Sequence, residues 1–268
     1  MVIGVLGGTG TAGRDVTADL RRRGHEAIVL ARHAPAEGAH RPIDVTADAG
    51  LDEAMAGLDT VVDAVSGSRD VLVDGVARAL RAARRAEVRH WVSLSVIAAG
   101  EVPFGYHRAM GEREAVVRAG EVPWSILRAA QFHPLLATVF GAAARRGVLP
   151  LLRVPVQPVD VREVAMALAD RVEAGPSGGV AELAGPRIER LDELAVAWAR
   201  AHGVRRVHVR VPVIGRGLRA ARRGALTSPD AARGTVGFAE WLRADGGPAA
   251  TAAGVPSGER REEAAGWA

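Results

Sequence analysis

Short apolar runs alternate with longer amphipathic stretches through the first half of the chain. The runs VIGVL (2–6), AIVLA (27–31), TVVDAV (60–65), HWVSLS (90–95) and WSILRA (124–129) are rich in Val, Ile and Leu. Turn-forming residues bound them, so the pattern predicts buried strands. Between them the period lengthens. In residues 70–85, Val73, Val76, Ala77 and Leu80 fall at i, i+3, i+4 and i+7, one face of a helix. Such a face must pack, and the neighbouring strands supply the sheet. Alternating strand and helix implies parallel strands joined by right-handed crossovers. The fold class expected is therefore α/β, a doubly wound parallel sheet.

After residue 132 the rhythm changes. A helix is expected over 133–146, an extended Pro-punctuated run at VPVQPV (154–159), a helix over 161–172 with Asp160 as N-cap, and a strand at VAELAG (180–185). Residues 191–202 place Leu191, Leu194, Ala195 and Trp198 on one helix face. RVHVRV (206–211) alternates and predicts a half-buried strand, and 230–242 a last helix. From residue 244 on, small and polar residues lack the apolar pattern that offsets ordering entropy, so 244–268 reads as a disordered tail. The expected organisation is a core over 1–132, a small C-terminal substrate lobe over 133–243 partly interleaved with it, and the tail.

Composition changes this picture little. Hydrophobic residues make up 48% and charged residues 25% of 268, ordinary for a globular chain with a real core. There are no cysteines, which excludes disulfides, thiolate catalysis and Cys-based zinc sites. No metal site is expected. All 35 basic side chains are Arg, which raises the pI to 10.8 although the net charge is only +4. The clusters at 21–24, 81–85 and 219–224 are scattered along the chain and read as solvated helix ends, not as a nucleic-acid face. No run reaches the ~18 apolar residues of a membrane span, and MVIGVLGGTG has no basic region ahead of its apolar residues. The expected setting is cytoplasmic, with a small-molecule substrate, no nucleic acid and no membrane. The sequence leaves the oligomeric state open.

The strongest chemical signal is VIGVLGGTGTAGR. Gly7, Gly10 and Gly13 follow a predicted strand and enter a predicted helix. Glycine permits the tight turn and a close approach of backbone to a pyrophosphate, while the helix N-terminus offers free N–H groups and partial positive charge. Gly7, Thr9, Gly10, Thr11, Ala12 and Gly13 are the expected cofactor-binding residues of a Rossmann-type dinucleotide site. An NAD site usually ends its second strand on an acid that bonds the ribose 2′-OH. Here the strand ends Ala31, Arg32, His33, with no acid before Glu37. Arg32, assisted by Arg14, suits a 2′-phosphate, which favours NADP(H) over NAD(H). The alternative is a solvent-facing Arg in an Arg-rich chain.

With GGTGTAG at the start, Asp44-Val45 after a third strand, VSLS in the fifth, and FGYHRAMGEREAVVRAGEVPWSILRAAQFHP beyond it, residues 1 to about 245 resemble the atypical short-chain dehydrogenase/reductases of the NmrA-like branch. The resemblance implies that Asp44 and Val45 contact the adenine and that Ser66 and Gly67 lie along the cofactor. It implies Ser95, or Ser93 in its place, as active-site serine and Tyr106 as catalytic tyrosine. Arg128 to Phe132, with His133, would border the nicotinamide and substrate.

The departure is Met110. In that family a lysine four residues after the tyrosine bonds the nicotinamide ribose and lowers the phenol pKa, which is otherwise near 10. Methionine does neither. Arg113 lies seven residues beyond Tyr106, two turns along the same face, and is a substitute cation or a surface partner of Glu112 or Glu114. His107 reads as solvated. His133 is an acid–base candidate or a capping residue. The function expected is an NADP(H)-dependent oxidoreductase passing hydride to a small carbonyl, quinone or enone through a Tyr-x-x-x-Met site. The alternatives are a non-catalytic NADP(H)-binding redox sensor and a non-redox isomerase or cyclase on the same fold.

Overall fold

A computed structural model of the chain describes residues 1–47, 50–205 and 207–244. In chain order the elements are β1 (Val2–Leu6), α1 (Thr11–Arg22), β2 (Glu26–Ala31), β3 (His40–Pro42), α2 (Leu51–Met55), β4 (Thr60–Asp63), α3 (Val76–Arg85), β5 (His90–Val96), α4 (Gly105–Ala119) and β6 (Trp124–Ala129). There follow α5 (His133–Arg145), β7 (Val148–Leu151), β8 (Pro155–Val156), α6 (Val161–Ala174), β9 (Val180–Ala184), β10 (Glu189–Arg190), α7 (Leu191–Ala201), β11 (Val207–Arg210), α8 (Arg216–Arg222), β12 (Ala232–Arg233) and α9 (Phe238–Ala244).

The chain divides into two compact units. Of the described residues, the first comprises those within 1–100, 106–128 and 161–181; the second comprises those within 101–105, 129–160 and 182–244. The expected boundary at 132 falls just past the division at Arg128, and α6, expected in the C-terminal lobe, belongs to the first unit. Residues 245–268, expected as a tail, lie outside the described residues.

The first unit carries its strands in the order β6-β5-β4-β1-β2-β3. β1 pairs in parallel with β2 and β4, β2 with β3, and β4 with β5. This is the strand order of a Rossmann-type doubly wound sheet, and the order reverses between β1 and β4. Alternation along the strands divides the side chains between the two faces. Leu6, Ile28, Leu30, Val61 and Trp91 bury against Leu51, Met55, Val76, Leu80 and Val117 of α2, α3 and α4. On the other face α1 and α6 pack together and touch β1, β2, β4 and β5. Burying an aliphatic side chain in such a layer stabilises by about 1.5–3 kcal/mol, so the strands predicted from short apolar runs form where the runs lie.

Residues 70–85 are helical as the periodicity predicts, but the first turns, Asp70–Gly75, are a π-helix that passes into α3.

In the second unit β9 pairs in parallel with β12, β8 antiparallel with β10, and β7 in parallel with β11. Two expectations fail here. The alternating run at 206–211 is not half-buried: β11 is exposed along its length, with Val207 69% and Val209 43% accessible. Among the described residues the strand it pairs with is the four-residue β7, too small a surface to cover either face. The helix expected over 230–242 is confined to α9, because residues 232–233 pair with β9 instead. The arginine cluster at 219–224, expected as a solvated helix end, forms the last turn of α8 and the turn that follows it.

Candidate functional site

The glycine turn sits at the reversal of strand order in the first unit. Gly7 adopts φ 75°, open to glycine and strained for other residues, and a Cβ there would meet Val65 Cα at 2.8 Å. A Cβ on Gly13 would lie 2.1 Å from the Gly7 carbonyl oxygen. The first turn of α1 thus rests directly on the turn that leaves β1. Gly10 is its N-cap, extended at φ −75° and ψ 176°, with no side chain capping the helix and no acid in the first turn. Gly8 was not singled out by the G-x-x-G-x-x-G spacing, yet a Cβ there would meet the Val29 side chain and the Val5 carbonyl at 3.0 Å. These features fit a dinucleotide: a side chain would fill the cradle, and the first turn carries no acid of its own. Thr9 is half-buried, Thr11 exposed and Ala12 buried at this turn.

Arg32 follows β2 immediately and is exposed, as is Arg14 on α1. The Asp44 carboxylate accepts hydrogen bonds from the Thr46 N–H (2.9 Å) and the Thr46 hydroxyl (2.8 Å). Those bonds, with Arg32 adding attraction, hold it below the usual carboxylate range. Val45 is buried against Gly75, where a Cβ would meet its Cγ2 at 2.8 Å, so the π-turn closes over this position. Ser66 and Gly67, beyond β4, are exposed, and Gly67 has φ 149°.

Tyr106 is half-buried near the start of α4. Met110, one turn on, is buried with Leu72, Val73, Ala99 and Ala109, and Tyr106 packs against the same cluster. The position that holds lysine in the reductases this chain resembles is thus an apolar contact with the π-turn. The loop after β5 is pinned to α4 beside it: the Gly100 N–H donates to the His107 carbonyl at 2.7 Å, and a Cβ on Gly111 would lie 2.5 Å from Gly100 Cα. Within that loop Ala98 has φ 60°, rare for a residue with a side chain.

Two charged residues follow on α4, and both are buried. Arg113 Nε donates to Asp63 Oδ2 at 3.1 Å and Nη2 lies 2.5 Å from the same oxygen. Nη1 donates to the Val65 carbonyl (3.0 Å), Nη2 to the Asp63 carbonyl (3.1 Å). Ser93 Oγ stands 3.4 Å from Asp63 Oδ2. Glu114 accepts from the Ser95 hydroxyl (2.6 Å), from Arg128 Nε and Nη2 (2.8 and 2.9 Å) and from Arg118 (2.8 Å). The expectation of Arg113 as a surface partner of Glu112 or Glu114 is corrected here: Glu112 pairs with Arg69, and Arg113 is 1% exposed. His107, expected to be solvated, is buried, and burial lowers its pKa to about 4.

Residues 7–142 match the model of a family described as NAD(P)H-binding. The chain belongs to that NAD(P)H-binding family. No curated protein sequence matches it. Among solved structures, it is similar to the NADPH-dependent quinone oxidoreductase from Escherichia coli complexed with NADPH, at 19% identity over 91% of this chain and 99% of that one, with a TM-score of 0.76. It is also similar to the triphenylmethane reductase from Citrobacter sp. complexed with NADP(H), at 20% identity over 86% and 93%, TM-score 0.69. A short-chain dehydrogenase/reductase superfamily protein from Agrobacterium tumefaciens with bound NAD gives 20% identity over 94% and 97%, TM-score 0.71. At these identities the likeness establishes a shared fold. Among the described residues no helix is long and apolar enough to cross a membrane.

The remaining expected site residues of this NAD(P)H-binding chain lie in the second unit. Phe132 is half-buried, caps α5 in an extended conformation and bridges to Val159. His133 is fully buried; its Nε2 is 3.1 Å from the Val236 carbonyl, and its ring packs on Phe238 and Trp241. The sequence reading missed Asp63 and the partners of Glu114. Their signal was present: an acid ends the apolar strand TVVD, and a carboxylate sits on the inner face of α4.

Proposed function

We propose that the chain is an NADP(H)-dependent oxidoreductase that reduces a small carbonyl, quinone or enone. The observation that carries this reading is the uncapped, acid-free glycine cradle at the reversal of strand order, followed by Arg32 where an NAD-selective site has an acid. Gly7 to Gly13 would hold the pyrophosphate and Arg32 the 2′-phosphate. Asp44, Val45, Ser66 and Gly67 would lie along the adenine side and Phe132 by the nicotinamide, as in the reductases it resembles. Bound nicotinamide supplies hydride.

Tyr106 is the proton donor in this reading. Met110 supplies no charge to it, and Arg113 is committed to Asp63. A protonated phenol donates to an oxygen gaining negative charge, which is the step the proposed reduction needs. Ser95 acts in this reading by aligning α4 through Glu114, and His133 by packing the second unit.

One observation favours a second reading. Met110 and Ser95 are both engaged in internal contacts, as expected of an NADP(H)-binding regulator without turnover. Titration with NADPH and, separately, NADH, followed by nicotinamide fluorescence, tests the shared premise; if neither binds at micromolar concentration, both readings fail. With binding established, NADPH oxidation against a panel of quinones, enones and aldehydes separates them.

A further inference from the structure

The second unit contains a cavity of about 220 Å³ lined by Leu151, Arg153, Arg210, Val211, Val213 and Arg222. Three elements build it. Arg210 ends β11 opposite Leu151 of β7, the Val211 N–H donates to the Leu151 carbonyl at 3.1 Å, and Arg222 ends α8. Half of the lining is aliphatic and half is guanidinium.

Among the described residues one of the three arginines, Arg153, has a carboxylate beside it. Residues 194–229 hold eight arginines and two histidines and not one Asp or Glu, so this segment alone exceeds the net charge of +4 of the whole chain. The carboxylate beside Arg153 is Asp192. It accepts from Arg190 at 3.0 and 2.5 Å and stands 3.5 Å from Arg153, which is 65% exposed. Among the described residues neither Arg210 nor Arg222 has a side-chain hydrogen bond or ion pair. Guanidinium groups held together without an anion repel one another, and a planar oxyanion relieves this through charge-assisted, paired N–H bonds.

We infer that this cavity binds a small organic oxyanion, a carboxylate or phosphate monoester with an apolar body. The arginines take the charged end; Leu151, Val211 and Val213 take the body. The volume is below the ~300–1,000 Å³ of pockets that take drug-sized ligands, which favours a small one. A polyanion such as nucleic acid would use the arginines but leave the aliphatic half uncovered, so the small ligand is the better fit. This site is independent of the cofactor reading.

Saturation-transfer NMR on the full chain tests it, with benzoate as probe, benzyl alcohol as the neutral body and inorganic phosphate as charge without body. Benzoate is expected to bind at least about tenfold more tightly than benzyl alcohol and than inorganic phosphate. The Arg210→Gln, Arg222→Gln double variant is expected to lose at least about tenfold of that affinity. Both positions are exposed, so its melting temperature and its NADPH affinity stay at the wild-type values. The inference is overturned if benzoate fails to bind at about 10 mM, a concentration well above ordinary pocket affinities, or if the double variant binds it equally well. Displacement of benzoate by NADPH would place it in the cofactor site, and displacement by a DNA duplex would make the patch a polyanion surface; either result also overturns it.

Discussion

Arg113 and Asp63 form a buried ion pair, Nη2 to Oδ2 2.5 Å, at 1% and 0% exposure, seven residues after the candidate catalytic tyrosine. The same guanidinium ties the Asp63 and Val65 carbonyls at the end of β4 to α4. Removing one partner strands the other charge away from water, which costs about 3–5 kcal/mol, whereas removing both costs much less. Arg113→Met is expected to lower stability to urea by that amount. Adding Asp63→Asn to it should recover a large part, with a coupling above about 1 kcal/mol in a double-mutant cycle. Additive losses would show that the pair is not the clamp described here.

Restoring the lysine at position 110 is expected to fail. Met110 is 2% exposed among Leu72, Val73, Ala99 and Ala109, and its Sδ lies 3.9 Å from Arg113 Nη1. An ammonium there loses its water and meets a like charge. Met110→Lys should lower the melting temperature by several degrees and leave NADPH oxidation no faster, while Met110→Leu, which keeps the volume, stays within about 1.5 kcal/mol of wild type. A Met110→Lys protein that is both stable and faster with acceptor would show that the apolar cluster yields to the cation.

The first unit was legible because its signals are local. The central parallel strands β1, β2, β4 and β5 are largely buried on both faces, so VIGVL or AIVLA announces itself as an apolar run, and the glycine turn needs residues within seven positions of one another. What was missed depends on distant partners. Nothing near Arg113 in sequence tells that Asp63, fifty residues earlier, waits inside the sheet, so the arginine read as a surface residue. His133 read as an acid–base candidate or a capping residue, and the rings that enclose it, Phe238 and Trp241, lie a hundred residues on, beyond the reach of a local pattern. β11 misled for the opposite reason: its alternation is regular, but alternation predicts burial only where a second layer exists to receive the apolar face, and Val207 and Val209 have none.

Cofactor choice rests on Arg32. Its replacement by alanine is expected to weaken NADPH about 10- to 100-fold, the range of a lost charge-assisted contact, and to leave NADH nearly unchanged. Equal losses for both cofactors would mean that Arg32 supports the fold of the loop, not the 2′-phosphate. Gly13→Ala provides the complementary measurement. Its Cβ would collide with the Gly7 carbonyl at 2.1 Å, so both cofactors should be lost together.

Acid sensitivity follows from two histidines. His90 and His107 are buried, and burial holds each at a pKa of about 4 against 6.5 for a free imidazole. His90 Nε2 lies 3.0 Å from the Ser125 hydroxyl, a neutral partner that offers no compensation for an imidazolium. The unfolded chain therefore binds more protons than the folded one between pH 6.5 and about 4, and stability rises with pH wherever that is so. The contribution is fully present above pH 6.5 and is lost progressively as the pH falls towards 4. Urea midpoints should drop steadily from pH 7 to pH 4.5, and the drop should become shallower in His90→Gln, which keeps a neutral polar group beside Ser125. An unchanged slope in that variant would assign the acid lability to His107 in place of His90.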